Sequence, residues 1–398
     1  MSRDFVKKLR LVRSKQVNNQ KADDQDDNYG LSLQEGITRL EDENKKLRSE
    51  LKGAQRESTV FKMLASIIEQ QPPFSTFTPY NSIIDRKAKI TESAMLVFSD
   101  CHADQEILPV RVRGLEEFSF DVACQRAERI VDTTISHLTD NMGKNYRFET
   151  LYIAGLGDYV NGEIHCGTEH SKWGNALKNA MGMGELFAMM VTDLSRYFKK
   201  IVVCSVSGNH GRRSIKKNYR GAHDNWDYMV MAHAATRLKG LIDEGRVEVF
   251  APDSWSMITT IYGWNFVLNH GDDIKGWNSI PYYGIERKTR RLNAIGSVTG
   301  VIPHYYLFGH FHQMSSTQHT TGETIVNGSW SATDEYALEG LGAYSEPYQW
   351  LLGVHPTYGL TWRMPIKLRK KDWREAVGKP SRYTITQLEG DPIIGIPK

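Results

Sequence analysis

The run "LYIAGLGD", Leu151 to Asp158, is short, apolar and β-favouring, and it stops at a glycine followed by a carboxylate. Such a run reads as a buried strand. Stretches of another kind flank it. Residues 116–142 and 174–199 read as helices, the second rich in methionine. Beyond them lie two more apolar runs, "AMLVFSD" (94–100) and "IVVCSVSGNH" (201–210), both read as strands, and a helix over 225–244 follows. This β-α-β-α-β order predicts an α/β layered domain. Strands dominate afterwards, at 246–250, 257–262, 264–270, 304–308 and 324–327, and "YQWLLGVHPTYGLTWRMPIKL" adds more near the end.

Five of these strands are followed by a residue that can hold a metal. After "AMLVFS" come Asp100, Cys101 and His102. After "LYIAGLG" comes Asp158, and after "VCSVSG" come Asn209 and His210. "WNFVLN" leads to His270, Gly271 and Asp272, and "YYLFG" leads to His310, Phe311 and His312. In an open α/β sheet the carboxyl ends of the strands converge on one crevice. If the chain stays extended through His310 and His312, the two imidazoles face the same way. Alone, that pair reads equally well as surface histidines in a turn. Five strand ends that carry carboxylate, imidazole or amide, and never lysine, argue for a shared site. Seven candidate ligands, Asp100, His102, Asp158, Asn209, His270, His310 and His312, are too many for one tetrahedral ion. They suit two ions with one carboxylate bridging. The O and N donors favour manganese, magnesium, iron or zinc over a thiolate site. Two cations about 3.5–4 Å apart clamp an in-line phosphoryl displacement and generate hydroxide near neutral pH.

The signatures D-x-H, G-D, G-N-H, H-G-D and G-H-x-H, in that order, resemble those of the calcineurin-like metallophosphoesterases, over about residues 90–335. The resemblance implies a four-layer α/β/β/α sandwich, preceded here by a coiled-coil-like N-terminal helix. It implies Asp100, His102 and His312 as ligands of a first metal, Asn209, His270 and His310 as ligands of a second, and Asp158 as the bridge. Two divalent ions, manganese foremost, are the implied cofactors. His210 is implied to be the acid that helps the leaving group depart. The chain departs from the family pattern at two places. An acidic residue usually follows G-N-H, whereas this chain has Gly211, which leaves Asp224 or Asp272 to orient His210. Protein phosphatases of the family carry G-D-Y-V-D-R-G and G-N-H-E. The sequences "GDYVNGE" and "GNHGR" lack the first phosphate-binding arginine, which argues against a phosphoprotein substrate.

Two stretches after ligand-bearing strands bear on the substrate. "GRRSIKKNYR" (211–220) carries Arg212, Arg213, Lys216, Lys217 and Arg220 without an acid. "GWNSIPYYGIERKTRRL" (276–292), read as a loop, sets Trp277, Tyr282 and Tyr283 beside Arg287, Lys288, Arg290 and Arg291. Basic residues neutralise phosphates and aromatic rings stack on bases. Either stretch alone reads as a solvated charged face. Beside a phosphoesterase site the two point to a polyanion, with DNA favoured. The resemblance points the same way, since the family's DNA-end nucleases use the same five motifs and often dimerise. The expectation is a metal-dependent phosphodiesterase, a nuclease, whose candidate substrate contacts are Arg212, Arg213, Lys216, Lys217, Tyr282, Tyr283, Arg287, Arg290 and Arg291. Two alternatives stay open: a phosphatase or cyclic-nucleotide phosphodiesterase with a small substrate, and a non-catalytic tethering protein.

The rest of the chain sets the frame. Its 398 residues allow a sizeable core plus an appendage, and a net charge of +3 demands no polyanionic partner globally. Cys101, Cys124, Cys166 and Cys204 show no C-x-x-C spacing, and the charged N-terminus has no apolar h-region. No run approaches the ~20 apolar residues of a membrane span. These features predict a cytoplasmic protein with reduced thiols and no membrane partner. Residues 1–30 read as a basic segment and linker. A four-three spacing from Leu33 through Asn44 to Ile68 predicts a coiled-coil dimer over 31–70, or else a lone helix folded on the next domain. Residues 71–89 read as a proline-rich linker, 90–370 as the catalytic domain and 371–398 as a polar tail. Cys101 is expected to face the core, and His165 and His170 read as solvated loop histidines.

Overall fold

The computed structural model describes residues 36–52, 90–165, 171–275, 280–375 and 378–385. The chain divides into two units, Met1–Asp85 and Arg86–Lys398. In the first unit residues 36–52 form helix α1. Its Ile37, Leu40, Leu47 and Leu51 are all exposed. Most of the heptad run lies outside the described residues, as does the linker that follows.

The second unit holds two sheets. The first contains β1 (Ile90–Phe98), β2 (Tyr146–Gly155), β3 (Lys200–Ser205) and β4 (Val247–Phe250), which pair in parallel. Helices α2 (Phe120–Ile135), α3 (Ala176–Leu194), α4 (Trp226–Arg237) and the short α5 (Lys239–Asp243) fall between these strands. The second sheet contains β5 (Ser256–Ile261), β6 (Trp264–Asn269), β7 (Tyr305–Phe308), β8 (Ser315–His319) and β9 (Gly322–Val326), in the order β5-β6-β7-β9-β8. Helix α6 (Tyr282–Thr299) joins the parallel pair β6 and β7. Strands β10 (Tyr348–His355) and β11 (Gly359–Lys367) return antiparallel to the first sheet, whose order is β11-β10-β1-β2-β3-β4.

Local sequence sets where the helices begin. Ser119, Asn175 and Asn225 each accept a backbone N–H from the first turn of α2, α3 and α4, which satisfies a donor the helix leaves orphaned. Gly300, at φ 78°, closes α6 in the left-handed conformation that glycine adopts without strain.

Alternation along the strands builds the layers. In β1, Ala94, Leu96 and Phe98 face a core shared with α2 and α3, whereas Met95 and Val97 face a second core with Phe266, Leu268 and Leu307 of the other sheet. In β7, Tyr305 and Leu307 point to that second core, and Tyr306 and Phe308 point to a third, which Ile285 of α6 helps to close. Three apolar interfaces separate four layers, helix, sheet, sheet and helix, as the α/β/β/α expectation requires. Strands buried on both faces read as continuous apolar runs, which is why "AMLVF" is wholly apolar and "YYLF" has only its two tyrosine hydroxyls as polar side-chain groups. Leu96 is fully buried, so its truncation to alanine costs roughly 2–5 kcal/mol.

Two sequence readings need correction here. Residues 282–299 are helical, not a loop; Gly284, at the start, abuts Ile274 and the Lys275 carbonyl, a close approach that a side chain would block. The boundary at 370 also falls short. Tyr383 and Ile385 are buried in the first core, Tyr383 donates to Asp193, and Arg382 pairs with Asp132 and Asp193. Among the described residues no helix is long and apolar enough to cross a membrane.

Candidate metal centre

The loops that leave β1, β2, β3, β6 and β7 meet at one end of the two sheets. Asp100, His102, Asp158, Asn209 and His270 are all buried there. Donor atoms of Asp100, His102 and His312 lie within 4.8 Å of one another, and so do those of His102, Asp158 and His210, and those of Asp158, His270 and His310. His102 and Asp158 therefore link the three groups. The nearest approaches are His102 Nε2 to His312 Nε2 at 3.2 Å, His312 Nε2 to Asp100 Oδ1 at 3.5 Å, and His270 Nε2 to both Asp158 Oδ2 and Asn209 Oδ1 at 2.9 Å.

The backbone at this site is unusual. Asp100, His102, Asp158, His310 and His312 all have positive φ, between 40° and 68°. They are five of the seven non-glycine residues in that region among the described residues. The chain is thus not extended through His310 and His312. It turns at both, and the two imidazoles go to different groups. Residues held in this sparsely populated region cost of order 1–3 kcal/mol each and persist where the surroundings over-determine them. The surroundings here are carboxylate-to-amide bonds. His310 N–H donates to Asp100 Oδ1 at 2.9 Å, and His210 N–H donates to Asp158 Oδ1 at 2.8 Å. Neighbouring glycines make room, since a Cβ on Gly208 would lie 2.2 Å from Asp158 Oδ1 and one on Gly309 would lie 2.6 Å from Asp100 Oδ2.

The donor set fits divalent cations. His270 Nδ1 faces the Leu156 carbonyl at 2.7 Å, which fixes its proton on Nδ1 and leaves Nε2 directed at two oxygens, Asp158 Oδ2 and Asn209 Oδ1. Electron-rich atoms so close need a positive charge among them, a metal ion or else a proton on Nε2. Among the described residues, buried His102 Nδ1 has no hydrogen-bond partner and buried Asp158 Oδ2 has none besides the His270 ring, a state that calls for an explanation in a folded protein. Protonation without metal follows the same logic. Burial pushes His270 down, but the charge and hydrogen bond of Asp158 lift it to about 10. His312 is raised in the same way by Asp100, against burial. Burial, then the charges of His210 and His312, hold His102 down to about 3, and burial with His270 holds His310 down to about 4. Burial pushes both carboxyls up, yet the imidazoles leave Asp100 lowered and Asp158 well below the usual range.

His210 belongs to the middle group, with its ring 4.6 Å from that of His102. Neither candidate acid orients it. Asp224 pairs with Arg213 at 3.2 Å and Asp272 pairs with Lys217 at 2.8 Å. His210 Nδ1 instead faces the Asn161 carbonyl at 3.3 Å. Burial, the largest influence, holds its pKa below the ordinary value.

The basic elements are partly occupied. Lys217 is also stacked over Trp255, 4.3 Å from the ring centre, and Arg212 Nε donates to the Asn209 carbonyl. Arg290 pairs with Glu286 on its own helix, and Arg287 lies over Tyr283. Lys216 and Arg291 are exposed, and Tyr282 and Tyr283 line a groove with Thr317 and His319. Asp272 and Asp273 tie both basic elements to the loop after His270, the first through Lys217 and the second through Lys288 of α6.

Three contributors escaped the sequence reading. Asp227, in the first turn of α4, accepts the backbone N–H groups of Asp158, Tyr159 and Gly208 at 2.8–2.9 Å. Burial and the charge of Asp158 push its carboxyl up to about 7. Asp104 accepts from Asn161 N–H and Asn179 Nδ2 and so joins the first two ligand loops. His165, read as a solvated histidine, stands 3.3 Å from Asn209 Nδ2, and its ring is 4.5 Å from His210. No signal in the sequence marks Asp227 or Asp104 as part of the site. Cys101 is buried in the first core and His170 lies outside the described residues.

The chain matches no family model, and no curated protein is similar enough to match. Among solved structures it is similar to Vps29 from Entamoeba histolytica with zinc, at 12% identity and a TM-score of 0.28, over 69% of this chain and 99% of that one. It is similar to a predicted phosphoesterase from Streptococcus pneumoniae at 10% identity and a TM-score of 0.28, over 69% and 97% of the two chains. An archaeal phosphodiesterase aligns at 10% identity with a TM-score of 0.30, over 65% and 92%. At such low scores the function of the site has to be sought in its own residues.

Proposed function

We propose that this protein is a dinuclear metal-dependent phosphodiesterase that acts on nucleic acid, DNA before RNA. The observation that carries the reading is the linkage of the donor groups: His102 and Asp158 share the middle group with His210, and each also belongs to one of the outer groups. Asp100, His102 and His312 would hold one ion, Asn209, His270 and His310 the other, and Asp158 would serve both. Divalent ions so placed lower the pKa of water and neutralise a phosphoryl group, and manganese suits the O and N donors.

The protein's own groups supply the rest. His210 is held by its backbone N–H on Asp158 and by its ring nitrogen on the Asn161 carbonyl, which leaves Nε2 to give a proton to the departing oxygen. Its lowered pKa makes the protonated ring a stronger donor, though less populated. Loop 211–220 offers Lys216 and Arg220 beside the exposed Ile215 and Tyr219. Helix α6 offers Tyr283, Arg287 and Arg291. Cations and rings so mixed suit a phosphate backbone and its bases.

One observation favours a smaller phosphodiester instead: Arg213, Lys217 and Arg290 each already face a carboxylate. The deciding experiment measures hydrolysis of single- and double-stranded DNA, RNA, a nitrophenyl phosphodiester and a nitrophenyl monoester, with manganese. The proposal expects kcat/KM on DNA to exceed that on either dye. Higher values on the small diester would favour the second reading, and no turnover with metal bound would favour a tethering protein.

A further inference from the structure

We infer that His165 is a positioning residue for the metal centre: it accepts a hydrogen bond from Asn209 Nδ2 and thereby turns Asn209 Oδ1 toward His270. This rests on the reading of Asn209 as a ligand.

A carboxylate presents oxygen whichever way it turns. An amide does not, for one end is an acceptor and the other a double donor. Rotated by half a turn, Asn209 would aim two N–H groups at the cation position and remove a ligand. Something must therefore bias the torsion. The backbone around Asn209 is fixed by other groups: Arg212 Nε donates to its carbonyl at 3.0 Å, and Asn225 Nδ2 donates to the Gly208 carbonyl at 2.9 Å. Neither touches the amide. Asn209 Oδ1 faces His270 Nε2 at 2.9 Å, and His165 Nε2 faces Nδ2 at 3.3 Å. Among the described residues His165 is the only partner of Nδ2. While Nε2 of His270 carries a proton it donates to Oδ1 and favours the same orientation, but a cation that takes Nε2 displaces that proton and ends the contact. His165 is then the partner that still holds the amide, with its proton on Nδ1 and Nε2 accepting from Nδ2. Its exposure also fits the role, since the ring needs only one fixed contact and lies at the rim rather than inside the centre.

Calorimetric titration of the metal-free full chain with Mn2+ tests this. Loss of an outer partner of a ligand typically weakens binding about 10–100-fold. His165→Ala should weaken one of two Mn2+ sites by that factor and spare the other. His165→Gln, whose amide oxygen can accept, should recover most of the loss. In an Asn209→Ala background, His165→Ala should add nothing, because it acts through Asn209. Unchanged affinities in His165→Ala, equal weakening of both sites, or an additive loss in the double variant would overturn the inference while the ligand assignment stood. If Asn209→Ala itself left both sites intact, the ligand assignment would fail and the inference with it. Thermal melts of each variant separate misfolding from loss of a site.

Discussion

His270 Nε2 stands 2.9 Å from Asp158 Oδ2, with both side chains almost wholly buried. A buried imidazole beside a carboxylate keeps its proton to about pH 10 in the metal-free chain. A metal that takes Nε2 must displace that proton. Mn2+ affinity should therefore rise with pH from 6 to 9, by up to about tenfold per unit for each proton released. Titration in buffers of different ionisation enthalpy should report one to two protons per chain, since His312 is raised as well. Affinity flat across this range would show that metal binding displaces no histidine proton. The sign reverses for the fold itself. With its pKa raised above the ordinary 6.5, His270 contributes stability that is complete below that value and lost as pH rises through about 10.

Metal content tests the ligand set. Elemental analysis after Mn2+ loading should approach two ions per chain. Asp158→Ala should lower both, because Asp158 belongs to two of the three donor groups. A wild-type value near one would exclude a shared carboxylate.

Substitution of His210 should separate chemistry from metal binding. His210→Asn is expected to keep both ions and to lose 10²–10⁴-fold on DNA, the usual contribution of a general acid. The loss on a nitrophenyl diester should be much smaller, because nitrophenolate leaves without a proton. Equal losses on both substrates would reject the acid role.

The glycine packed against Asp158 offers a steric test. Alanine at Gly208 would place Cβ 2.2 Å from Asp158 Oδ1 and 2.5 Å from its backbone nitrogen. Gly208→Ala should lower stability by roughly 1–3 kcal/mol and weaken Mn2+ binding at both positions. Gly240→Ala, with nothing within 4 Å, should be neutral or stabilising by up to about 1 kcal/mol, as expected for a helical glycine. Denaturant unfolding with and without Mn2+ measures both.

The N-terminal heptads predict a dimer. Light scattering should give twice the chain mass for the full protein and the chain mass for a form that begins near Thr78. The exposed Ile37, Leu40, Leu47 and Leu51 of α1 are the side chains such a contact would cover. Monomers in both cases would reject the dimer.

The sequence carried the layers and the donor residues because both depend on local signals. Buried strands are unbroken apolar runs, and a candidate donor at a strand end is one residue type at one place. What it did not carry depends on contacts between distant residues. Helix α6 was hidden because Gly284 and Gly296 interrupt its pattern and its first turn lacks a polar cap; its reason for being helical is the packing of Ile285 against Tyr306 and Phe308. Asp227 lies 69 residues from Asp158, whose backbone it holds. The partner of His210 is a backbone carbonyl, which has no residue type to read. Lys217 looked like a free cation until Asp272, 55 residues on, was seen to neutralise it.

The five strained positions of the candidate centre bear on how such a chain can change over generations. A residue held at positive φ is a standing burden that only its task repays, and glycine would relieve it at once. In a lineage that did not need the metal, glycine at the more exposed of these positions, as in His312→Gly, would relieve backbone strain without opening a deep cavity. Idle copies should then lose the motif quickly and at these places first. All five positions carry aspartate or histidine here, the state that the proposed function expects.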